Sequence, residues 1–147
     1  MNIHQDFEEF LAYLNDEDVC YLIVGGYAVA FFGYVRATND MDIFFEDTEE
    51  NVSRMTRALK SFGLAVSPQQ REQFFDPGSR IRLGVSPVCI EMINRISGVS
   101  FGEAWGNRTP GKYGDVQLFY LSREDLLKNK KTSARLKDLA DIDELGG

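Results

Sequence analysis

Apolar and polar positions alternate along the chain with two different periods, and these periods predict helices and strands in turn. In residues 6–15 the apolar positions recur at the i, i+3, i+4, i+7 spacing of an amphipathic helix, namely Phe7, Phe10, Leu11 and Leu14. Residues 20–24 form a short apolar run that ends at two glycines, which is typical of a buried strand. Residues 27–34 then predict a short buried helix, and residues 41–45 predict a second strand.

The second part of the chain continues this interleaving. Thr48 is typical of a helix N-cap, and the helix that follows is expected to end at Gly63. A short strand is expected at residues 64–66, and loop structure at residues 67–78, which are polar and contain two prolines. The remaining expected elements are strands at residues 80–85, 88–93 and 116–121, a helical turn at 100–106, and a helix from 122 to about 145 that breaks near Thr132 and Ser133.

This order of elements predicts a single α/β (α+β) domain over residues 1–147, with a mixed sheet of about five strands flanked by helices. The composition agrees, since 44% of the 147 residues are hydrophobic and 12% are aromatic, which excludes a disordered chain. Two cysteines are too few for a disulfide scaffold. The net charge of −7 argues against indiscriminate binding of nucleic acid.

The N-terminal residues lack the basic start and apolar run of a secretory signal, and no apolar stretch is long enough to span a membrane. We therefore expect a cytoplasmic protein with reduced thiols and no membrane partner. Cys20 and Cys89 lie in apolar runs and are expected in the core. Because His4 is the single histidine and no Cys-x-x-C motif exists, the usual zinc site and a histidine-based triad are excluded.

Three carboxylates are candidates for chemistry. Asp40 and Asp42 are two positions apart on a predicted strand, so their side chains point to the same face, where a Mg²⁺ ion would offset their repulsion. Glu91 interrupts an otherwise apolar strand and would join them if the two strands are neighbours. The alternatives are a solvated strand end for the aspartates and an exposed edge strand for Glu91.

Two further features suit a phosphate ligand. Gly25 and Gly26, between a predicted strand and helix, let the backbone approach a ligand closely, although such turns are commonly structural only. Five bases lie within ten residues near the C-terminus and could clamp phosphates, or could simply coat a solvated helix: Lys128, Lys130, Lys131, Arg135 and Lys137.

These features together resemble one family. The run YLIVGGYAVAFFGYVRATNDMDIFF resembles the signature of the polymerase-β-like nucleotidyltransferase superfamily, in which a strand and two glycines precede Asp-x-Asp in a second strand. Its part Arg36-x-Thr38-x-Asp40-x-Asp42 resembles the version found in abortive-infection-type nucleotidyltransferases. The stretches IRLGVSPVCIEMI and LLKNKKTSARLKDLADIDEL are similar to the third-carboxylate strand and basic tail of these proteins, so the resemblance covers about residues 20–145.

The resemblance implies a catalytic centre in which Asp40, Asp42 and Glu91 bind one or two Mg²⁺ ions. Glu91 would stand where the third carboxylate activates the acceptor hydroxyl. That position usually holds Asp, so the longer Glu91 side chain changes the geometry. The nucleotide-binding residues that the resemblance implies are Gly25 and Gly26 for the triphosphate, Arg36 and Thr38 in the loop before the metal site, and Lys130, Arg135 and Lys137 at the phosphates.

The resemblance therefore implies a Mg²⁺-dependent enzyme that transfers a nucleoside monophosphate from an NTP to a hydroxyl and releases pyrophosphate. The acceptor stays open between RNA, a protein and a small molecule. A role as a toxin of a toxin–antitoxin pair or in phage defence is implied as well, with an antitoxin or a second copy of the chain as partner. The alternatives are a catalytically silent nucleotide-binding or interaction module on the same fold, which Glu91 and the missing helical acceptor domain favour, and an unrelated acidic interaction domain.

Overall fold

The computed structural model describes residues 4–34, 40–84 and 89–146, and these contain seven helices and six strands. The helices are α1 (Gln5–Asp16), α2 (Gly25–Phe31), α3 (Glu49–Phe62), α4 (Pro68–Gln73), α5 (Phe101–Gly106), α6 (Arg123–Ser133) and α7 (Leu136–Glu144). The strands are β1 (Tyr21–Val24), β2 (Asp40–Phe45), β3 (Arg80–Leu83), β4 (Cys89–Ile93), β5 (Thr109–Tyr113) and β6 (Val116–Tyr120). None of the helices in these ranges has the length and apolar character that crossing a membrane requires.

All six strands belong to one sheet, in the order β3-β4-β2-β1-β6-β5. The pairs β2–β4 and β1–β6 are parallel, whereas β1–β2, β3–β4 and β5–β6 are antiparallel. This arrangement confirms the predicted mixed sheet with flanking helices. Strand β1 is apolar throughout because it lies inside the sheet with both faces covered.

Helices α1 and α3 pack together and contribute much of the core. The predicted apolar stripe of α1 is fully buried, at Phe7, Phe10, Leu11 and Leu14. Helix α3 begins as expected, since the Thr48 hydroxyl accepts a hydrogen bond from the Asn51 amide at 3.3 Å. It ends at Gly63, whose φ of 102° lies in the left-handed region that favours glycine. The local sequence therefore determines both ends of this helix.

Three expectations about local structure were wrong. Residues 64–66 are not a strand, and the expected loop at 67–78 contains helix α4. In α4 the Ser67 and Gln70 side chains form a capping box, and Pro68 occupies the first turn, where its missing N–H costs nothing. Strand β5 was not predicted, because its sequence Thr-Pro-Gly-Lys-Tyr is poor in strand-forming residues. The pairing of β5 with β6 holds it in the sheet, where it is an edge strand.

The two cysteines differ in exposure. Cys89 is buried in β4, as expected, whereas Cys20 is only half-buried just before β1. Both are free thiols. Burial is the main cause that raises the pKa of the Cys20 thiol above its ordinary value, so this thiol is not activated as a nucleophile.

Candidate active site

The parallel pairing of β2 and β4 brings the predicted carboxylates together. In the register of these strands Asp42 lies opposite Glu91, and Asp40 lies opposite Cys89. The alternation of the strand turns Met41 and Ile43 to the other face, where both are fully buried. The expectation that the two strands are neighbours is confirmed, and this pairing places Glu91 beside Asp42.

Asp42 is the most constrained of the three carboxylates. Its Oδ1 atom is buried and has no hydrogen-bond partner among the residues that the structure describes. Burial, together with the charge of Glu91 and a hydrogen bond to it, raises the pKa of Asp42 to about 7. Asp42 and Glu91 therefore repel each other unless a proton or a cation lies between them.

Gly25 packs directly against the Asp42 carboxylate. Its φ is +66°, and a Cβ at this position would collide with Asp42 Oδ2. A side chain here would displace the carboxylate, so the turn from β1 into α2 requires glycine for both conformation and space. This close approach explains one of the two glycines that the sequence analysis singled out.

The other two carboxylates are bound by arginines of β3, which the sequence analysis did not single out. Arg82 Nη2 donates to Asp40 Oδ1 at 2.8 Å and to Asp40 Oδ2 at 2.7 Å. Arg80 Nε donates to Glu91 Oε1 at 2.7 Å. The available signal was the Arg-x-Arg spacing in a strand predicted to alternate between polar and apolar positions.

With these arginines in place, the three carboxylates are not gathered into a closed ligand set. Within the described ranges, no three His, Cys, Asp or Glu side chains are arranged as a group that could hold a metal ion. Asp42 and Glu91 interact with each other, and Asp40 is turned to Arg82. The structure brings the predicted ligands to one place without enclosing a cation.

Of the five clustered bases, Lys130, Arg135 and Lys137 line the same cavity, whereas Lys128 and Lys131 lie outside it. Lys130 is buried, with its Nζ 3.3 Å from Asp138 Oδ1 and 3.0 Å from Asp141 Oδ2. Arg135 Nε donates to Asp138 Oδ2 at 2.9 Å, although 58% of the Arg135 side chain is exposed. Lys130 therefore links α6 to α7, while Arg135 and Lys137 lie at the cavity wall.

Asp138 is the central residue of the linkage between α6 and α7. Burial alone would raise its pKa, but hydrogen bonds from Arg135 and Ser133 and the charge of Lys130 hold the pKa well below its ordinary value. The carboxylate is thus ionised and well satisfied inside the protein. Asp138 and Asp141, both on α7, each contact Lys130.

The cavity has a volume of about 520 Å³ and is lined by eight of the site residues that the resemblance implies: Gly25, Gly26, Asp40, Asp42, Glu91, Lys130, Arg135 and Lys137. Arg36 and Thr38 lie outside the described residues. Other cavity residues that sequence reasoning missed are Arg80, Arg82, Arg95, Ser97 and Asn129. The lining holds six bases and three acids, so the cavity suits an anion that is accompanied by a cation.

Comparison with solved structures identifies the fold. The chain is similar to the lincosamide antibiotic adenylyltransferase LnuA in its lincomycin-bound form, with a TM-score of 0.63 and 17% sequence identity. The match covers 100% of this chain and 99% of that chain. The six-stranded mixed sheet with its helices is thus a nucleotidyltransferase fold. No protein-family model and no curated protein sequence matches the chain.

Proposed function

We propose that this protein is a Mg²⁺-dependent nucleotidyltransferase of the polymerase-β-like superfamily. It would transfer a nucleoside monophosphate from an NTP to a hydroxyl group. The observation that carries the proposal is the buried Asp42 Oδ1, which has no hydrogen-bond partner among the described residues and lies beside Glu91 in a cavity with an excess of bases. The fold likeness and the resemblance of the sequence motifs support the same reaction.

The three carboxylates suit a Mg²⁺ ion by their chemistry, although their arrangement among the described residues does not enclose one. Asp42 offers an oxygen without a hydrogen-bond partner in the described structure, and Asp40 and Glu91 are the carboxylates next to it. A cation bound here would stabilise the charges of the carboxylates and of the nucleotide phosphates together. We propose Asp40, Asp42 and Glu91 as the ligands, for one or two ions.

The remaining roles follow from position in the cavity. Glu91 would take the proton of the acceptor hydroxyl, whose oxygen forms a bond to the α-phosphorus while the bond to pyrophosphate breaks. Gly25 and Gly26 leave room for phosphates beside Asp42. Arg135 and Lys137 would bind the phosphates, and Lys130 would position Arg135 through Asp138. Arg36 and Thr38 stay in the proposal as nucleotide-binding residues that precede Asp40 in the sequence.

We further propose a small hydroxylated molecule as the acceptor and ATP as the donor. LnuA is an antibiotic adenylyltransferase whose chain matches this one almost end to end, so an added helical domain is unnecessary for a small acceptor on this fold. RNA and protein acceptors remain the competing outcomes of the test. The need for NTP and Mg²⁺ is compatible with the expected cytoplasmic location.

The test is transfer of label from [α-³²P]ATP and Mg²⁺ to lincomycin, to a panel of other hydroxylated antibiotics, and to pools of RNA and protein. Asp42→Asn should abolish transfer, whereas Asp115→Asn, a matched change in an exposed turn, should not. Transfer that survives Asp42→Asn would contradict the proposed site. Label in RNA or protein alone would contradict the small acceptor.

The second candidate is a silent nucleotide-binding module. It is favoured by the arginines that bind Asp40 and Glu91 in the metal-free protein. ATP binding in calorimetry without transfer to any acceptor would support it.

The resemblance to abortive-infection-type proteins adds a toxin or phage-defence role to the proposal, with an antitoxin or a second copy as partner. Growth arrest on induced expression that disappears with Asp42→Asn would support that role, and unimpaired growth would contradict it.

A further inference from the structure

Arg80 and Arg82 share one face of the edge strand β3, and each binds one of the proposed metal ligands. A single nitrogen, Arg82 Nη2, lies nearly equidistant from both oxygens of Asp40, at 2.8 and 2.7 Å. This is the position that a cation shared by the two oxygens would take. Arg80 contacts Glu91 through one oxygen at 2.7 Å. Two of the three carboxylates, Asp40 and Glu91, are therefore already paired with a positively charged side chain.

We propose that Arg80 and Arg82 are exchangeable counter-ions of the active site. In the metal-free protein they neutralise Glu91 and Asp40. When a divalent cation takes these carboxylates, both guanidinium groups move to the phosphates of the nucleotide. This inference rests on the proposed nucleotidyltransferase site and adds two nucleotide-binding residues to it.

The exposure of the two arginines supports the exchange. The Arg82 and Arg80 side chains are 62% and 51% exposed, so both ion pairs stand at the cavity rim in contact with water. Ion pairs in such a position are weak and are readily broken. Guanidinium groups bind phosphate oxygens with charge-assisted hydrogen bonds, which offer the arginines a new partner once the carboxylates are taken.

The other bases of the cavity are held differently. Lys130 is only 4% exposed and is fixed between two buried carboxylates. Arg95 binds Asp47 and the backbone carbonyl of Asn94, neither of which belongs to the proposed metal site. Arg95 therefore provides a matched control, since it carries the same charge in the same cavity without covering a metal ligand.

The first measurement is binding of Mn²⁺ alone to the nucleotide-free full chain, followed by the electron paramagnetic resonance signal of the free ion. Arg82→Gln should bind Mn²⁺ about fivefold more tightly than the wild type, because one cation that competes for Asp40 has been removed. Arg95→Gln should change the affinity by less than about twofold, since it alters only the distant charge. Unchanged or weaker Mn²⁺ binding by Arg82→Gln overturns the proposal.

The second measurement is the affinity for ATP in the presence of Mn²⁺. The substitutions that raise the affinity for Mn²⁺ should lower the affinity for ATP. Arg82→Gln should weaken ATP binding about tenfold, because one phosphate contact is lost. Arg80→Gln should show both effects through Glu91 and serves as the second variant if Arg82→Gln does not fold by circular dichroism. Unchanged ATP binding by both variants also overturns the proposal.

The results that would contradict the proposed function differ from those that would contradict the exchange of counter-ions. Opposite shifts in Mn²⁺ and ATP affinity support the exchange even if no acceptor is ever labelled. Nucleotide transfer with Mn²⁺ affinity unchanged by Arg82→Gln supports the enzyme and overturns the exchange. Asp42→Asn should abolish Mn²⁺ binding, both as a single substitution and in combination with Arg82→Gln. This result would show that the measured Mn²⁺ binds at this site.

Discussion

Asp42 of β2 and Glu91 of β4 face each other in register across two parallel strands, and they interact directly. Neighbouring buried carboxylates destabilise a protein unless a proton or a cation accompanies them. On the other face of the same two strands Met41, Ile43 and Met92 are fully buried, so the polar contacts of the pair are confined to one face. This pairing is expected where stability has been given up for a binding site.

Asp42→Asn should separate activity from stability. The variant keeps the size of the side chain but removes one of two like charges, so we expect its unfolding free energy to rise by about 1 kcal/mol in the presence of EDTA. Nucleotide transfer should fall about a thousandfold or more, because the substituted side chain is a poor Mg²⁺ ligand. Urea unfolding and the labelling assay give the two values. A variant that is both less stable and fully active would contradict the pairing.

Gly25→Ala should damage both the fold and the site. The alanine must adopt a φ of +66°, and its Cβ must push against the Asp42 carboxylate. We therefore expect the free energy of unfolding to fall by about 3 kcal/mol. Gly78→Ala is the matched control, because Gly78 also has a positive φ of +79° but no described atom within 4 Å of a new Cβ. That control should lower the free energy of unfolding by only about 1–2 kcal/mol. Equal losses in urea unfolding would show that contact with Asp42 is unimportant.

Asp138→Asn should give a pH-dependent loss of stability. At neutral pH the variant leaves the buried Lys130 with one carboxylate fewer, at a cost of about 3 kcal/mol. The pKa of Asp138 is lowered on folding, so its stabilisation is complete above the ordinary value of 3.8 and declines as the pH falls further. The difference between wild type and variant should therefore shrink below about pH 4.

The measurement is urea unfolding by circular dichroism at several pH values. Glu103→Gln is the control, because Glu103 forms an exposed ion pair with Lys128. This substitution should change the free energy of unfolding by less than about 1 kcal/mol at any pH. A loss that stays constant down to about pH 3 would mean that the Asp138 charge is not what stabilises the α6–α7 junction.

Asn51→Ala should destabilise the protein without altering its chemistry. The buried Asn51 side chain accepts a hydrogen bond from the Cys20 amide and donates to the Cys20 and Glu46 carbonyls, which ties α3 to the end of the antiparallel pair where β1 begins and β2 ends. The loss of this side chain leaves buried backbone groups without their hydrogen-bond partners, so we expect the free energy of unfolding to fall by about 2–3 kcal/mol. Gln5→Ala, which removes only an exposed contact with Glu9, should be nearly neutral. Reduced transfer per folded molecule in Asn51→Ala would contradict a purely structural role.

Local patterns were sufficient for elements whose ends and faces depend on neighbours in sequence. The stripe of α1, the caps of α3 at Thr48 and Gly63, and the break between α6 and α7 followed from side-chain spacing and turn chemistry. The prediction failed for α4, where a proline at the first helical turn was interpreted as a loop signal. It failed for β5 because that strand depends on its partner β6.

By itself, the sequence determined that Asp40 and Asp42 share a face, and that bases cluster near the C-terminus. These are consequences of periodicity within one element, which local sequence encodes. Only the tertiary structure decided that Glu91 lies opposite Asp42, that Arg80 and Arg82 cover two of the carboxylates, and that Lys130 is fixed between Asp138 and Asp141. Those contacts depend on strand order and helix packing, which follow from burying the whole core at once and not from any single segment.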